Sequence, residues 1–380
     1  MIMQKLSLVC LMLLLLSSCK QTKQEEYTSI AELREIYASG DPERWPAPNL
    51  DSSIVNFKEI GHLDDVPFPE DNPYSKAKAD LGKKLFFDPR LSVSGQIACA
   101  SCHNSELGWT DNLTRSFGHD RQNGKRNAMT IMNAAFAHEL FWDGRASSLE
   151  DQARFPIADP VEMNETLNLA VDKIAEVEGY KPLFEEAFGK DTISLEYIQK
   201  AIATFERTLI SRTSKFDRFI DGRPDQFTDE EVLGLHLFRT KARCINCHNS
   251  GYFSDNQYHN DGQVLFGTKD EDFGRFAVTG DTADIGKFRT PSLREVGRTG
   301  PWMHHGHFPS LRDVVEYYNL GNPQVIQKRY LCTPRDSLIP EVSPILQKLN
   351  LTREEMNALE AFLNTLTSGD LRTRAPKLPK

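Results

Sequence analysis

Apolar residues recur at helical spacing in separate stretches of the chain. Leu195, Ile198, Ala201, Ile202, Phe205 and Leu209 fall three or four apart, which predicts one amphipathic helix. Thr228 and Glu231 form a capping box that opens "DEEVLGLHLF", and Thr352 and Glu355 open "REEMNALEAFLNTL". In that last stretch Met356, Leu359, Phe362 and Leu363 share a face. Ser29 and Glu32 make a further box before Ile36 and Tyr37, inside a segment that is otherwise polar and dotted with proline. No alternating strand of any length appears, so the fold is expected to be mainly α. Long loops rich in Gly, Pro, Asn and Asp separate the helices. A plain helical bundle has no use for them, but they make sense if they wrap a large non-protein group.

The pattern also repeats. "LGKKLFF" (Leu81 to Phe87) and "LGLHLF" (Leu233 to Phe238) each read as a helix, and each precedes a C-x-x-C-H motif. The first motif is Cys99, Cys102 and His103; the second is Cys244, Cys247 and His248; both continue with Asn-Ser. The echo suggests two diverged copies of one unit, with a boundary near Asp221–Thr228. C-x-x-C-H is the attachment signature of c-type haem: two thiols bond the two vinyl groups, and the adjacent histidine falls under the iron. A zinc site would need its cysteine pairs 15–20 residues apart or so, whereas these lie 145 apart in the chain (99 to 244). A thioredoxin-type pair would need a βαβ context. The expected organisation is therefore two cytochrome c-like haem domains related by internal duplication, residues 51–224 and 225–380, after a leader 1–18 and a tether 19–50.

Composition narrows the class. Of 380 residues 39% are hydrophobic and 26% charged, which suits a globular protein with a real core, and a net charge of −9 argues against nucleic-acid binding. Lys5 precedes the mainly apolar run Leu6 to Leu16, which is too short to span a bilayer. It ends in Leu16-Ser17-Ser18-Cys19, which resembles the lipobox of bacterial lipoproteins. Cys19 is then the lipidation site, and the protein is expected to be exported, periplasmic and lipid-anchored to a membrane surface. Of the seven cysteines, Cys10 leaves with the leader, Cys19 carries lipid, four belong to the haem motifs and Cys332 is read as structural.

Further motifs accompany these sites in order: "FWDGRASSLEDQARFPIADPVEM" (Phe141 to Met163), "FRTPSLREVGRTGPWMHHG" (Phe288 to Gly306) and "LRDVVEYYNLG" (Leu311 to Gly321). Together with the haem motifs they resemble the bacterial dihaem cytochrome c peroxidases and the related methylamine-utilisation (MauG) family, over roughly Leu81 to Thr367. The resemblance implies that the first haem, on His103, is the peroxidatic one. Glu162 matches the catalytic glutamate, Gln152 a glutamine that hydrogen-bonds peroxide, and Trp142 an electron relay between the haems. His119 matches a histidine that closes the distal side of the first haem in many resting peroxidases. Asn127, Thr299 and Pro301 match a Ca2+ site between the domains, and His304 a histidine kept near the second haem.

One position departs from the peroxidase pattern. Where typical peroxidases carry a methionine ligand to the second haem, this chain has Tyr318, as in the MauG-like branch; the alternative is a core Tyr318 with Met303, or nothing, as ligand. The resemblance implies hydrogen peroxide as substrate, a small electron-donor protein (a cytochrome c or a cupredoxin) as partner, and a homodimer. The leading expectation is a dihaem cytochrome c peroxidase. The alternatives are a MauG-like oxidase that uses peroxide to modify a protein substrate, and a dihaem cytochrome that only transfers electrons.

Overall fold

The computed structural model describes residues 29–327, 334–369 and 371–380. Cys10, Cys19 and Cys332 lie outside the described residues, and so do the whole leader and residues 19–28 of the tether.

Thirteen α-helical segments carry the described residues. They are α1 (Ile30–Ala38), α2 (Lys76–Phe86), α3 (Cys99–Cys102), α4 (Leu149–Gln152), α5 (Arg154–Ala158), α6 (Leu167–Ala175) and α7 (Lys181–Phe188). There follow α8 (Leu195–Glu206), α9 (Lys215–Ile220), α10 (Asp229–Arg239), α11 (Phe276–Thr279), α12 (Leu311–Asn319) and α13 (Arg353–Thr365). The only sheet among them is two residues wide: β1 (Tyr258–His259) pairs antiparallel with β2 (Phe288–Arg289). The mainly helical expectation holds. The capping boxes of α10 and α13 form as read, with Thr228 and Thr352 accepting from the N–H groups of Glu231 and Glu355. The α8 pattern runs on to Leu209, but the helix stops at Glu206; Leu209 is buried from the loop beyond.

Two cores organise the chain. In the first, α2 packs on α8, with Leu81, Leu85, Phe86, Ile198, Ile202 and Phe205 buried together. In the second, α10 packs on α13, with Val232, Leu235, Phe238, Leu359 and Phe362. The two joints repeat each other. Gly82 of α2 faces the Ala201 carbonyl and Phe205, and Gly234 of α10 faces the Ala358 carbonyl and Phe362. Phe86 lies 5.4 Å from Phe205 between ring centroids, and Phe238 lies 5.1 Å from Phe362. The sequence echo thus has a residue-for-residue counterpart in packing.

Packing departs from the expected division at both ends. Residues 29–50 are not all tether: α1 buries Leu33, Tyr37 and Ala38 in the second core, joined by Trp45 and Ile60. Arg239, 1% exposed, fixes this arm by donating to the Pro46 carbonyl and pairing with Glu59. Ile30 and Ile36 of α1 pack against the same core, but a nine-residue helix inside a polar, proline-dotted segment does not reveal from local pattern what it docks on. Helix α9 also joins the second core rather than the first, because Phe216 packs on Phe253 and Phe219 stacks on Phe227 at 4.0 Å. In the opposite sense, residues 371–380 return to the first unit. The Trp109 indole donates to the Leu371 carbonyl, Lys83 to Thr373, and Gly179 to the Lys380 carbonyl. Each half is therefore strapped by a segment from the far end of the chain.

Candidate functional site

The loops between the helices enclose one cavity of about 820 Å³ that both C-x-x-C-H motifs line. At the first motif, His103 Nδ1 lies 3.2 Å from the Trp109 carbonyl. At the second, His248 Nδ1 lies 3.1 Å from the Phe253 carbonyl. A carbonyl only accepts, so Nδ1 carries the hydrogen in both rings and the Nε2 lone pair is free to ligate. Burial also lowers both histidine pKa values, which favours the neutral imidazole a metal needs. Trp109 and Phe253 have φ of 61° and 56°, a left-handed turn that is rare for aromatic residues and turns each carbonyl back to the ring. Sequence reasoning missed this pair, because a backbone acceptor leaves no mark in residue type.

The four thiols lie inside the same cavity. Burial pushes Cys102 up to about 11 and Cys244 to about 12, and Cys99 higher still. These three are not poised as reactive thiolates, and all four cysteines are free of disulfides. A pair of thiols, an available imidazole nitrogen and a large cavity at each motif fit a covalently held haem.

Glu162 and Gln152 both line the cavity, and Glu162 lies within electrostatic reach of Cys99 and Cys102. Burial, reinforced by Asp159, raises the Glu162 pKa, and Arg145 opposes the shift. The loop carrying Glu162 is stitched to the loop of His119: the His119 N–H donates to the Val161 carbonyl (3.0 Å) and the Glu162 carbonyl (2.8 Å). The His119 ring itself does not line the cavity. Its Nε2 faces Asp120 at 3.3 Å, and its buried Nδ1 has no hydrogen-bond partner.

Trp142 is held from three directions. Its indole donates to the Asn127 carbonyl at 3.0 Å, its own carbonyl accepts from the Arg289 N–H at 2.7 Å, and neighbouring Asp143 pairs with Arg126 and Arg145. Arg126 also pairs with Asp272, so this cluster joins the two halves of the chain. Asn127 donates from its backbone to the His304 carbonyl and from its amide to the Leu113 carbonyl. Asn127, Thr299 and Pro301 all line the cavity, offering neutral oxygens only.

Beside the second motif, Tyr318 and Met303 both reach the cavity wall. Burial, then Asp261 and Cys247, pushes the Tyr318 phenol well above the usual tyrosine range. His304 is buried, stacks on Phe288 at 3.7 Å and leaves its Nε2 without a partner. Outside the expected set stands Glu206, on the first motif's side. It is 4% exposed, lines the cavity, leaves Oε2 without a partner and has its pKa pushed up to about 8 by burial. Its signal was present, since Glu206 continues the Ile198–Ile202 row at the next i+4 position.

Comparisons with known proteins agree with this geometry. The family model described as di-haem cytochrome c peroxidase matches residues 76–225. The chain is 40% identical over 315 residues to the methylamine utilization protein MauG of Methylorubrum extorquens, covering 83% of this chain and 85% of that one. It is 36% identical to the cytochrome c551 peroxidase of Nitrosomonas europaea, covering 82% and 86%. Among solved structures, a MauG-like protein associated with microbial copper homeostasis superposes with a TM-score of 0.70 at 31% identity, covering 84% of this chain and 95% of that chain. The diheme peroxidase BthA of Burkholderia thailandensis shares the fold, with a TM-score of 0.68 at 22% identity over 87% of this chain and 99% of that one.

Proposed function

Because the chain belongs to the di-haem cytochrome c peroxidase family, we propose that it reduces hydrogen peroxide to water with electrons from a small redox protein, a cytochrome c or a cupredoxin. The observation that carries this reading is the single cavity in which two covalent haem sites meet a buried carboxyl, Glu162. Cys99, Cys102 and His103 hold one haem; Cys244, Cys247 and His248 hold the other. When bound, the haems supply redox-active iron for electron transfer and for binding peroxide. Peroxide, two protons and two electrons become two waters.

The protein's own groups handle the protons and the route. Glu162 takes the proton from one peroxide oxygen and returns it to the departing one. Gln152 orients the peroxide by hydrogen bonding. Trp142 relays electrons between the halves. His119, on the loop stitched to that of Glu162, would supply a nitrogen able to close access to the first haem and to be withdrawn from it. Asn127, Thr299 and Pro301 hold Ca2+ at the junction through neutral oxygens and water. The test is steady-state oxidation of a reduced monohaem cytochrome c by peroxide, run on haem-loaded protein with Ca2+ and again after chelation. Turnover well above the free-haem background that falls on chelation is the expected result. Turnover at background would sink the peroxidase reading, and indifference to chelation would remove the Ca2+.

Tyr318 favours a second reading, a MauG-like oxidase that uses peroxide to modify a protein substrate. In that reading little cytochrome is oxidised, and the protein keeps an altered spectrum long after peroxide alone. In either reading Tyr318, which lines the cavity beside the second motif, would supply a ligand oxygen to the iron of the second haem. A thioether ligand raises a haem potential, so Tyr318→Met is expected to raise that of the second haem by about 59 mV or more, a tenfold change in the reduced-to-oxidised ratio. An unchanged potential in spectroelectrochemical titration would mean that Tyr318 does not ligate.

No helix among the described residues is long and apolar enough to cross a membrane. Export and lipidation at Cys19 rest on the leader sequence. Fatty-acid labelling that is lost in Cys19→Ser is the expected result, and labelling that persists would rule out Cys19 as the attachment site.

A further inference from the structure

Among the described residues four arginines are buried: Arg207, Arg239, Arg289 and Arg294, all 6% exposed or less. Three have a carboxylate partner. Arg207 pairs with Glu150, Arg239 with Glu59 and Arg294 with Asp217. Arg289, 4% exposed, has none. Its Nε donates to the Phe141 carbonyl at 3.2 Å, one terminal nitrogen to the Thr290 carbonyl at 3.3 Å, and the other reaches the Met129 thioether sulfur at 3.6 Å. The Tyr252 hydroxyl lies beside it, and the Tyr258 phenol, across the strand pair, is within electrostatic reach. Every one of these groups is neutral. A guanidinium stays charged in proteins, and a buried charge without a counter-ion is costly.

The position of this charge says what completes it. Arg289 sits on β2 and lines the cavity that both haem motifs share. Its partners come from both halves of the chain: Met129 and Phe141 precede the second motif, and Tyr252 and Thr290 follow it. Its backbone N–H also fixes the Trp142 carbonyl. The ligand must therefore be anionic, must lie inside the cavity, and must accept from a fork of N–H donors. The haem carries carboxylates that meet all three conditions. We propose that Arg289 binds a haem carboxylate at the junction of the two sites and supplies its counter-charge, with the Tyr252 hydroxyl as a second donor. The proposal rests on the haem reading above.

A positive charge at this point favours the added electron, so its removal lowers the potential of the haem it serves. Arg289→Gln is expected to lower the reduced-to-oxidised ratio of one haem about tenfold at fixed applied potential, which is about 59 mV for one electron. Arg289→Lys keeps the charge but not the fork, and is expected to recover at least half of that shift. The measurement is spectroelectrochemical titration of both haems in haem-loaded protein, after the pyridine haemochrome has established two haems per chain in each variant. A guanidinium that merely props the Phe141 and Thr290 carbonyls would leave both potentials unchanged, and that result overturns the proposal. A crystal structure of the haem-loaded protein decides the same point directly: the guanidinium either lies on a haem carboxylate or keeps only its neutral partners. Fewer than two haems in the parent protein would refute the haem reading itself, a failure distinct from unmoved potentials.

Discussion

Glu162→Gln is expected to reduce peroxide-driven oxidation of the electron donor by about 10²–10⁴-fold, the range that loss of a positioned acid–base group produces. The amide is close in size and keeps hydrogen-bonding capacity, but it cannot take a proton from one oxygen and return it to the other. Both haems should still attach, because Glu162 forms no part of either C-x-x-C-H motif. The pH profile gives an independent check. The base works as a carboxylate, and burial raises its pKa. Activity should therefore rise with pH through a point above the ordinary carboxylate range, and this acid limb should disappear in Glu162→Gln. Parent-like turnover in the variant would assign the proton transfer elsewhere, with Glu206, a buried acid of the same cavity, the next to examine.

The second large effect concerns stability. A Cβ added at Gly82 would stand 1.8 Å from the Ala201 carbonyl oxygen, and one at Gly234 1.9 Å from that of Ala358. Neither oxygen can rotate away, because each belongs to a helix backbone. The helices of α2/α8 or α10/α13 must separate, which opens the Phe86–Phe205 or Phe238–Phe362 contact. Alanine's helix propensity returns about 1 kcal/mol, but overpacking of this severity costs more than the usual 1–3 kcal/mol or so. The expected net loss is about 2–4 kcal/mol for Gly82→Ala and for Gly234→Ala, read as a lowered Tm in haem-loaded protein. Gly61→Ala is the control. A Cβ there meets nothing within 4 Å, so it should stay within about 0.5 kcal/mol of the parent. A Gly82→Ala or Gly234→Ala variant as stable as the control would mean that these joints have slack.

These two cases mark what was legible beforehand. Helices α8, α10 and α13 announce themselves by period and capping residues, and the haem sites by cysteine spacing, because each signal is local. The paired glycines were visible within the echo, but their reason was not: it is the approach of a second helix far along the chain. The Trp109 and Phe253 carbonyls were hidden because any residue has a carbonyl; only the positive φ distinguishes them. Arg289 lay inside a recognised motif, yet its missing partner shows only when the other buried arginines are seen to have theirs. The docking of α1 needed Phe219, Phe227 and Arg239 brought to it from nearly two hundred residues away. Such contacts are fixed by topology, which a residue-by-residue reading does not contain.

The exchanged straps bear on how the molecule is made. Residues 30–60 are synthesised long before α9 and α10, against which they pack; residues 371–380 are synthesised long after Trp109, Lys83 and Tyr180's neighbour Gly179, over which they close. The arm must wait for the second half to be made, and the first half cannot complete its surface until residues 371–380 follow. Contacts of such long sequence separation form late, after the loop-closure entropy has been met. The thiols of Cys99 and Cys102 thus spend most of the chain's emergence beneath an open roof, which is the interval in which a bulky group can still be brought to them.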